Sequence, residues 1–439
     1  MRIVILAIGT TGDLAPHVAF GAGLKSAGHT VTIATYEFYR PLVSRYGLEF
    51  TPLPGAPRTL LKVVESKSTR ETHGNAFTQY RRNREMAQKV RTNANAMLDA
   101  SLEACRRADA LIFTLTTSWG AGIGEYLGIP VIRTSFSPVT PTRHFPSFIL
   151  AGRRCLGGPL NLLSHITMDL AMWLPFRKIL NGWRKSRLGL KPIGWRGPLR
   201  DDDRKRIPIC YAFSPCVVKR PPDWEDWVHV TGHWFLDEAS TWRPPERLVE
   251  FLACGSPPVF FGFGSMLDAE ADSLTESIVR VHDRIGLRAV IQSGWAGLHS
   301  AKLPSDCMAI DDVPHDWLFP KLAAAVHHGG CGTTHAALRA GIPQVIVGYH
   351  GDQMYWGHRC FALGTSEAPI PRRRLTVGRL ADSIQAVTTE SRYRDNAQRV
   401  SRQILCEDGV RTAVRLFESY VDDWRAAHGR DRLSLKHTE

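Results

Sequence analysis

Apolar and polar positions along the 439-residue chain fall into two repeating textures. Short apolar runs that end in glycine- or proline-rich turns read as buried strands, and the stretches between them carry apolar residues three and four apart, which reads as helix. Strand Arg2–Ala7 leads into Gly9-Thr-Thr-Gly-Asp-Leu-Ala-Pro16, then a helix near His17–Ala27 stopped by Gly28, then strand Thr30–Ala34. This is the opening βαβ unit of a Rossmann-like sheet. Residues Leu60–Arg107 form a long polar stretch of helical pattern, with Val90, Ala94, Met97, Leu98, Leu102 and Cys105 on one stripe. Strand Ala110–Thr114, a helix near Gly120–Leu127 and strand Pro130–Thr134 continue the alternation. After the short strand Ile209–Phe213, a run rich in proline and aromatic residues from Pro215 to Leu236 reads as an interdomain crossing, with the boundary near Asp237–Pro245. A second series follows: strands Pro258–Phe261, Arg288–Gln292, Met308–Ile310, Ala323–Val326 and Gln344–Val347, then helices near Val377–Thr388, Tyr393–Leu405 and Gly409–Ala426. The pattern predicts an α/β protein of two Rossmann-like domains, 1–236 and 237–415, with a last segment, 416–439, whose charged end from Gly429 is expected to fray.

The densest chemistry lies between Val313 and Gly357. After strand Ala323–Val326, the turn His327-His-Gly-Gly-Cys-Gly-Thr-Thr334 opens a helix near Thr333. Gly329, Gly330 and Gly332 let a ligand approach the backbone, and the helix N-terminus suits a phosphate. His328 can donate from its ring to a diphosphate oxygen. The next strand ends in His350-Gly-Asp-Gln353, placing Asp352 and Gln353 where open α/β sheets bind ligands. A carboxylate beside an amide matches a ring of sugar hydroxyls. Either turn alone could be packing or a solvated loop; both in one βαβ unit favour a ligand site.

Three segments here, VPHDWLFP, HHGGCGTT and GDQMYWG, resemble the donor-binding signature of the UDP-glycosyltransferase superfamily, in the branch of sterol glucosyltransferases and bacterial natural-product glycosyltransferases. The resemblance implies a GT-B architecture, two Rossmann-like domains facing across a cleft, with acceptor in the first and nucleotide sugar in the second. It also implies that the final helix, 416–439, crosses back onto the first domain. Gly9–Pro16 is similar to the family's GTRGD-x-x-P, with Thr11 where arginine is common. The family aspartate faces the acceptor hydroxyl, which makes Asp13 the candidate general base; from the residues alone, a helix N-cap is the competing role. Gly262-Phe-Gly-Ser-Met266 matches GFGSM. The implied donor-side residues are Thr10, Thr11, Gly264, Ser265, Trp295, Val313, His315, His328, Gly330, Gly332, Thr333, Asp352 and Gln353. The implied reaction is inverting transfer from a UDP- or dTDP-linked sugar to a hydroxyl, with no metal and no cofactor beyond the co-substrate.

The stretch Ser135–Phe148, with three prolines and no periodicity, follows a strand's carboxyl end and should shape the acceptor site. Its PVTPTRHFP resembles the sterol-glucosyltransferase branch, whose acceptors are lipophilic: sterols, macrocycles, glycolipids. Leu156–Trp195, within a helical insertion at about 140–200, carries apolar residues followed by Arg177, Lys178, Arg184, Lys185 and Arg187. It reads either as an amphipathic segment resting on an anionic membrane or, the reading favoured here, as an insertion capping the acceptor cleft.

Composition adds constraints. At 44% hydrophobic the chain can fill two cores. No apolar run reaches membrane-spanning length, no signal architecture precedes the first strand, and nine cysteines show no CxxC pair or metal-ligand spacing. A cytoplasmic enzyme is expected, with contact to a membrane surface left open. The formal charge of +13 lacks a nucleic-acid motif, so nucleic acid is not an expected partner. Cys331, Gly348, Tyr349-His350 and Ala336 depart from the family pattern, leaving the sugar and the base of the donor undecided. A nucleotide-sugar epimerase or hydrolase, and a catalytically silent helper of the same fold, are the alternatives.

Overall fold

The computed structural model describes residues 1–56, 93–150, 156–264, 271–292, 303–349 and 351–435. Of the sequence-predicted features, the helical pattern before residue 93 and Ser265, Trp295 and His350 lie outside the described residues.

Strands β1 (Arg2–Leu6), β2 (Thr30–Tyr36), β3 (Glu49–Leu53), β4 (Ala110–Thr114), β5 (Val131–Ser135), β6 (Ile209–Tyr211) and β7 (Val228–Val230) form one parallel sheet in the order β3-β2-β1-β4-β5-β6-β7. Strands β8 (Val259–Gly262), β9 (Ala289–Gln292), β10 (Cys307–Ile310), β11 (Ala324–His327), β12 (Gln344–Gly348) and β13 (Ile370–Pro371) form a second, ordered β10-β9-β8-β11-β12-β13. Helices cover both faces, so the central strands are apolar throughout: Ile3, Val4, Ile5 and Leu6 in β1 and Ala324, Ala325 and Val326 in β11 are all buried. Strand order reverses between β1 and β4 in one sheet and between β8 and β11 in the other. Crevices at such switch points, at the strands' carboxyl ends, are where ligands fit.

The helices that matter below are α1 (Thr11–Ser26), α2 (Gly158–Trp173), α3 (Arg177–Leu188), α4 (Cys331–Ala340), α5 (Gln353–Leu363) and α6 (Gly409–Leu435). Two boundaries differ from the sequence reading. Helix α1 begins at Thr11, not after Pro16; the proline lies inside the helix, and Asp13 is therefore a helical residue. Helix α6 crosses back from its first residue rather than from 416, and it runs on past Ala426 to Leu435, into the segment from Gly429 expected to fray. Ala413, Val414, Phe417 and Val421 are buried in the first domain's core, and Val410 and Val414 press on Gly23 of α1. The crossing falls where it does because two glycines meet: a Cβ on Gly409 would lie 2.6 Å from the His233 carbonyl oxygen and 2.7 Å from that of Gly232. Among the described residues no helix is long and apolar enough to cross a membrane, and all eight described cysteines are free thiols.

Candidate active site

Between the sheets lies a cavity of about 1630 Å³. It is lined from the first domain by Thr10, Thr11, Asp13, Phe136 and Trp234, and from the second by Gly264, Val313, His315, His328, Gly330, Gly332, Thr333, Asp352 and Gln353. Asp13 and all the described donor-side residues implied by the resemblance thus face one space.

Asp13 sits in the first turn of α1, directly after β1. Its Oδ2 accepts from the Thr10 backbone N–H at 2.7 Å and the Thr10 hydroxyl at 3.0 Å. This is the reciprocal arm of a capping box, so the cap is Thr10, and the competing N-cap role read for Asp13 is not the one it fills. With Oδ2 held by Thr10, Oδ1 is left for the cavity. Gly9 is required here twice over: its φ is +151°, and an added Cβ would lie 2.3 Å from Asp13 Oδ2. Burial raises the carboxyl above the ordinary aspartate value of 3.8; the Thr10 bonds oppose this and the charge of Asp352 adds to it.

Beneath Asp13 lies His17, a residue the sequence reading passed over. Its Nδ1 donates to the Asp13 carbonyl oxygen at 2.6 Å, and Nε2 meets the Thr134 hydroxyl at 2.8 Å. Phe136 and Trp234 present ring edges to it, with centroids 5.1 and 5.9 Å away. Burial drops its pKa to about 4, so the ring is neutral and serves to position the first turn of α1. The available signal was the i, i+4 spacing from Asp13, which puts both on one helix face.

Helix α4 starts at Cys331, two residues before the predicted start. Gly330 is its N-cap and supplies no capping side chain, and the first helical bond runs from Thr334 N–H to the Gly330 carbonyl. The N–H groups of Cys331, Gly332 and Thr333 therefore have no partner within the helix and end at the cavity. The His328 ring is wedged between backbones: a Cβ on Gly330 would come 2.4 Å from its Nε2, and one on Gly264 3.0 Å from its Cε1. His315 stacks on Phe319 with centroids 4.3 Å apart, and burial lowers its pKa to about 4.

Asp352 caps α5. Its Oδ2 accepts from Trp356 Nε1 at 2.9 Å and from the Ser137 hydroxyl, which arrives from the other domain. One oxygen is thereby engaged, leaving Oδ1 for a ligand. Gln353 is buried, and its Oε1 accepts from Tyr349 N–H at 2.8 Å. Ser137 was missed because nothing local marks a serine for a carboxylate 215 residues away.

Burial, with the charges of Asp352 and Asp13 adding to it, pushes the Cys331 thiol well above its ordinary range and keeps it neutral. This thiol, His233 and His335 form a cluster with ligand atoms within 4.8 Å of one another. The imidazoles stack almost parallel, 4.6 Å apart at 9°, so their in-plane lone pairs do not converge on one ion. Both nitrogens of His335 are also engaged, Nδ1 with the Cys331 carbonyl at 2.9 Å and Nε2 with Ser214 N–H at 3.2 Å. The cluster reads as a packed stack. Because the Cys331 thiol is held neutral and buried, iodoacetamide at neutral pH should label exposed Cys254 and Cys406 and spare Cys331, as read by peptide mass mapping of the native protein. Labelling of Cys331 at the rate of Cys254 would contradict this environment.

Two parallel-sheet α/β domains closing on one ligand-sized cleft, each contributing its switch-point loops, define a GT-B fold. Solved structures share it: the kitacinnamycin glycotransferase superposes with a TM-score of 0.68 at 16% identity, covering 95% of this chain and 98% of that one. Glycosyltransferase VinC in complex with dTDP gives a TM-score of 0.67 at 20% identity, covering 96% of this chain and all of its own. Residues 3–146 match the glycosyltransferase family 28 N-terminal domain, and residues 269–414 the erythromycin biosynthesis protein CIII-like C-terminal domain. The sterol 3-beta-glucosyltransferase of Candida albicans is 36% identical over 96% of this chain, and that of Aspergillus fumigatus 34% over 94%. This chain spans only 28% and 29% of the length of those two relatives. The chain thus carries the two domain families of a GT-B glycosyltransferase and is similar in sequence to sterol 3-beta-glucosyltransferases along almost all of its length.

Proposed function

We propose that this protein transfers a sugar, with inversion, from a UDP- or dTDP-linked donor to a hydroxyl of a lipophilic acceptor such as a sterol or macrocycle. The observation that carries this reading is the single cavity in which Asp13 of one domain faces Asp352 and the open N-terminus of α4 in the other. The acceptor hydroxyl would attack the anomeric carbon on the side away from the diphosphate, its proton passing to Asp13 Oδ1 as the carbon–oxygen bond to the diphosphate breaks. The leaving diphosphate gains negative charge, which the N–H groups of Gly332 and Thr333 and the His328 ring are suited to stabilise. Asp352 Oδ1 would accept from sugar hydroxyls, while Val313 and His315 border the base. Phe136, backed by the fully buried Trp234, would offer an apolar wall to the acceptor. The free thiols favour a reducing, cytoplasmic setting.

Because protein donors meet the diphosphate, transfer is expected to be independent of divalent metal. Chelation with EDTA should leave the rate of glycoside formation from UDP- or dTDP-glucose within about twofold, and proton NMR of the product should give a β-anomer from the α-linked donor. A rate that collapses on chelation and returns with magnesium, or an α-anomeric product, would overturn this mechanism.

A further inference from the structure

Helix α2 turns much of its apolar surface outward. Its buried residues are Asn161, Ser164 and His165 together with Met168 and Trp173, while Leu160, Leu163 and Ile166 point outward. Leu174 and Phe176 extend the outward side beyond the helix end, and Leu160, Leu163, Leu174 and Phe176 are each 51–57% exposed. Leu160, Leu163, Ile166 and Leu174 fall on one side of a 3.6-residue helix, so the exposure is one apolar strip.

The buried polar residues have a defined task. Asn161 Nδ2 donates to the Arg143 carbonyl at 2.9 Å, Ser147 N–H donates to the Ser164 hydroxyl at 2.8 Å, and His165 Nε2 bonds the Phe145 carbonyl at 3.1 Å. Helix α2 thus grips the loop that begins at Ser137, whose hydroxyl reaches Asp352 in the cleft.

Charge marks what covers the strip. Residues 143–200 hold eleven Lys and Arg against one acidic residue, Asp169, whose Oδ1 is buried. The next acidic residues, Asp201, Asp202 and Asp203, are taken up by Lys205 and by Arg133. Arg177, Lys178 and Lys185 are exposed and form no ion pair with described residues.

We propose that the outward apolar strip of α2 and the basic start of α3 dock on an anionic lipid bilayer. A convex apolar helix face flanked by cations suits a bilayer interface, where the side chains enter the acyl boundary and the cations meet headgroup phosphates. The docked helix would hold the loop bordering the cleft against the surface from which a lipophilic acceptor arrives. The docking is read without turnover, so it stands or falls separately from the transfer reaction.

The test is flotation of the full chain with vesicles of phosphatidylcholine, with and without phosphatidylglycerol. Co-flotation with the anionic vesicles, weakened by salt, is expected. The pair Arg177→Ser and Lys178→Ser should weaken it roughly twenty- to thirtyfold, and Leu160→Glu with Leu163→Glu by about tenfold or more, at unchanged melting temperature. Failure of the wild type to float, equal flotation of all variants, or equal binding to neutral vesicles would overturn the proposal. So would a dimer in analytical ultracentrifugation that Leu163→Glu splits while the wild type ignores vesicles, since a second copy would then cover the strip.

Discussion

Replacing Asp13 by asparagine is expected to slow transfer by about 10³-fold while leaving nucleotide affinity unchanged. Asparagine keeps the shape and can still accept from Thr10, so the turn and the capping box survive; only the proton acceptor is lost. The pH profile carries a second signature. Since burial raises the Asp13 pKa, kcat/KM should fall on the acid side at a pH above the ordinary aspartate range, as protonation removes the base. Asp352→Asn removes a charge that contributes to that rise, so the acid limb of the residual activity should move to lower pH. Stability follows the same sign. A carboxyl whose folded pKa is raised favours folding below its unfolded pKa and loses that contribution as pH rises through the folded value. Asp13→Asn should therefore melt no lower than wild type at neutral pH, with any gap closing on acidification. Activity of Asp13→Asn within a few-fold of wild type would remove Asp13 as the base.

His328→Ala is the second large effect. The ring occupies the space between the Gly264 and Gly330 backbones, beside the open N-terminus of α4, where the leaving diphosphate would sit. Losing one preorganised donor to a developing oxyanion costs about 10²- to 10³-fold in kcat. Unlike Asp13→Asn, this variant should also bind nucleotide more weakly, because the same ring would contact the ground-state diphosphate. A variant with normal nucleotide affinity and normal kcat would place the diphosphate elsewhere.

The parts of the site legible in the sequence are those where backbone must approach something closely. Gly9 and Gly330 admit little else, because a carboxylate or an imidazole already occupies the position of their Cβ, and Gly264 is held at a φ of +57° with the His328 ring 3.0 Å from where a Cβ would lie. The two-domain alternation was equally legible, since strands buried on both faces are continuous apolar runs. Strands β3, β7 and β13 went unread: each is short and at or near a sheet edge, and Pro52 and Pro371 weaken the pattern in two of them. Pro16 hid the first turn of α1, and with it the helical setting of Asp13. The bonds from Ser137 to Asp352 and from His17 to Thr134 join residues 215 and 117 apart, and only the assembled sheets bring them together. The outward apolar strip of α2 was invisible for a related reason: an apolar stripe gives the helix but not which face turns inward.

The division of labour across the cleft, base in one domain and nucleotide in the other, is tested most directly by thermal shift with UDP and dTDP on wild type, Asp13→Asn and His328→Ala. Ligand at a hundredfold excess over its dissociation constant adds about 2.7 kcal/mol to the native state. One of the two nucleotides is predicted to raise the melting temperature of wild type and Asp13→Asn equally, and that of His328→Ala much less. A rise in none of the three proteins, or an equal rise in all, would contradict the account.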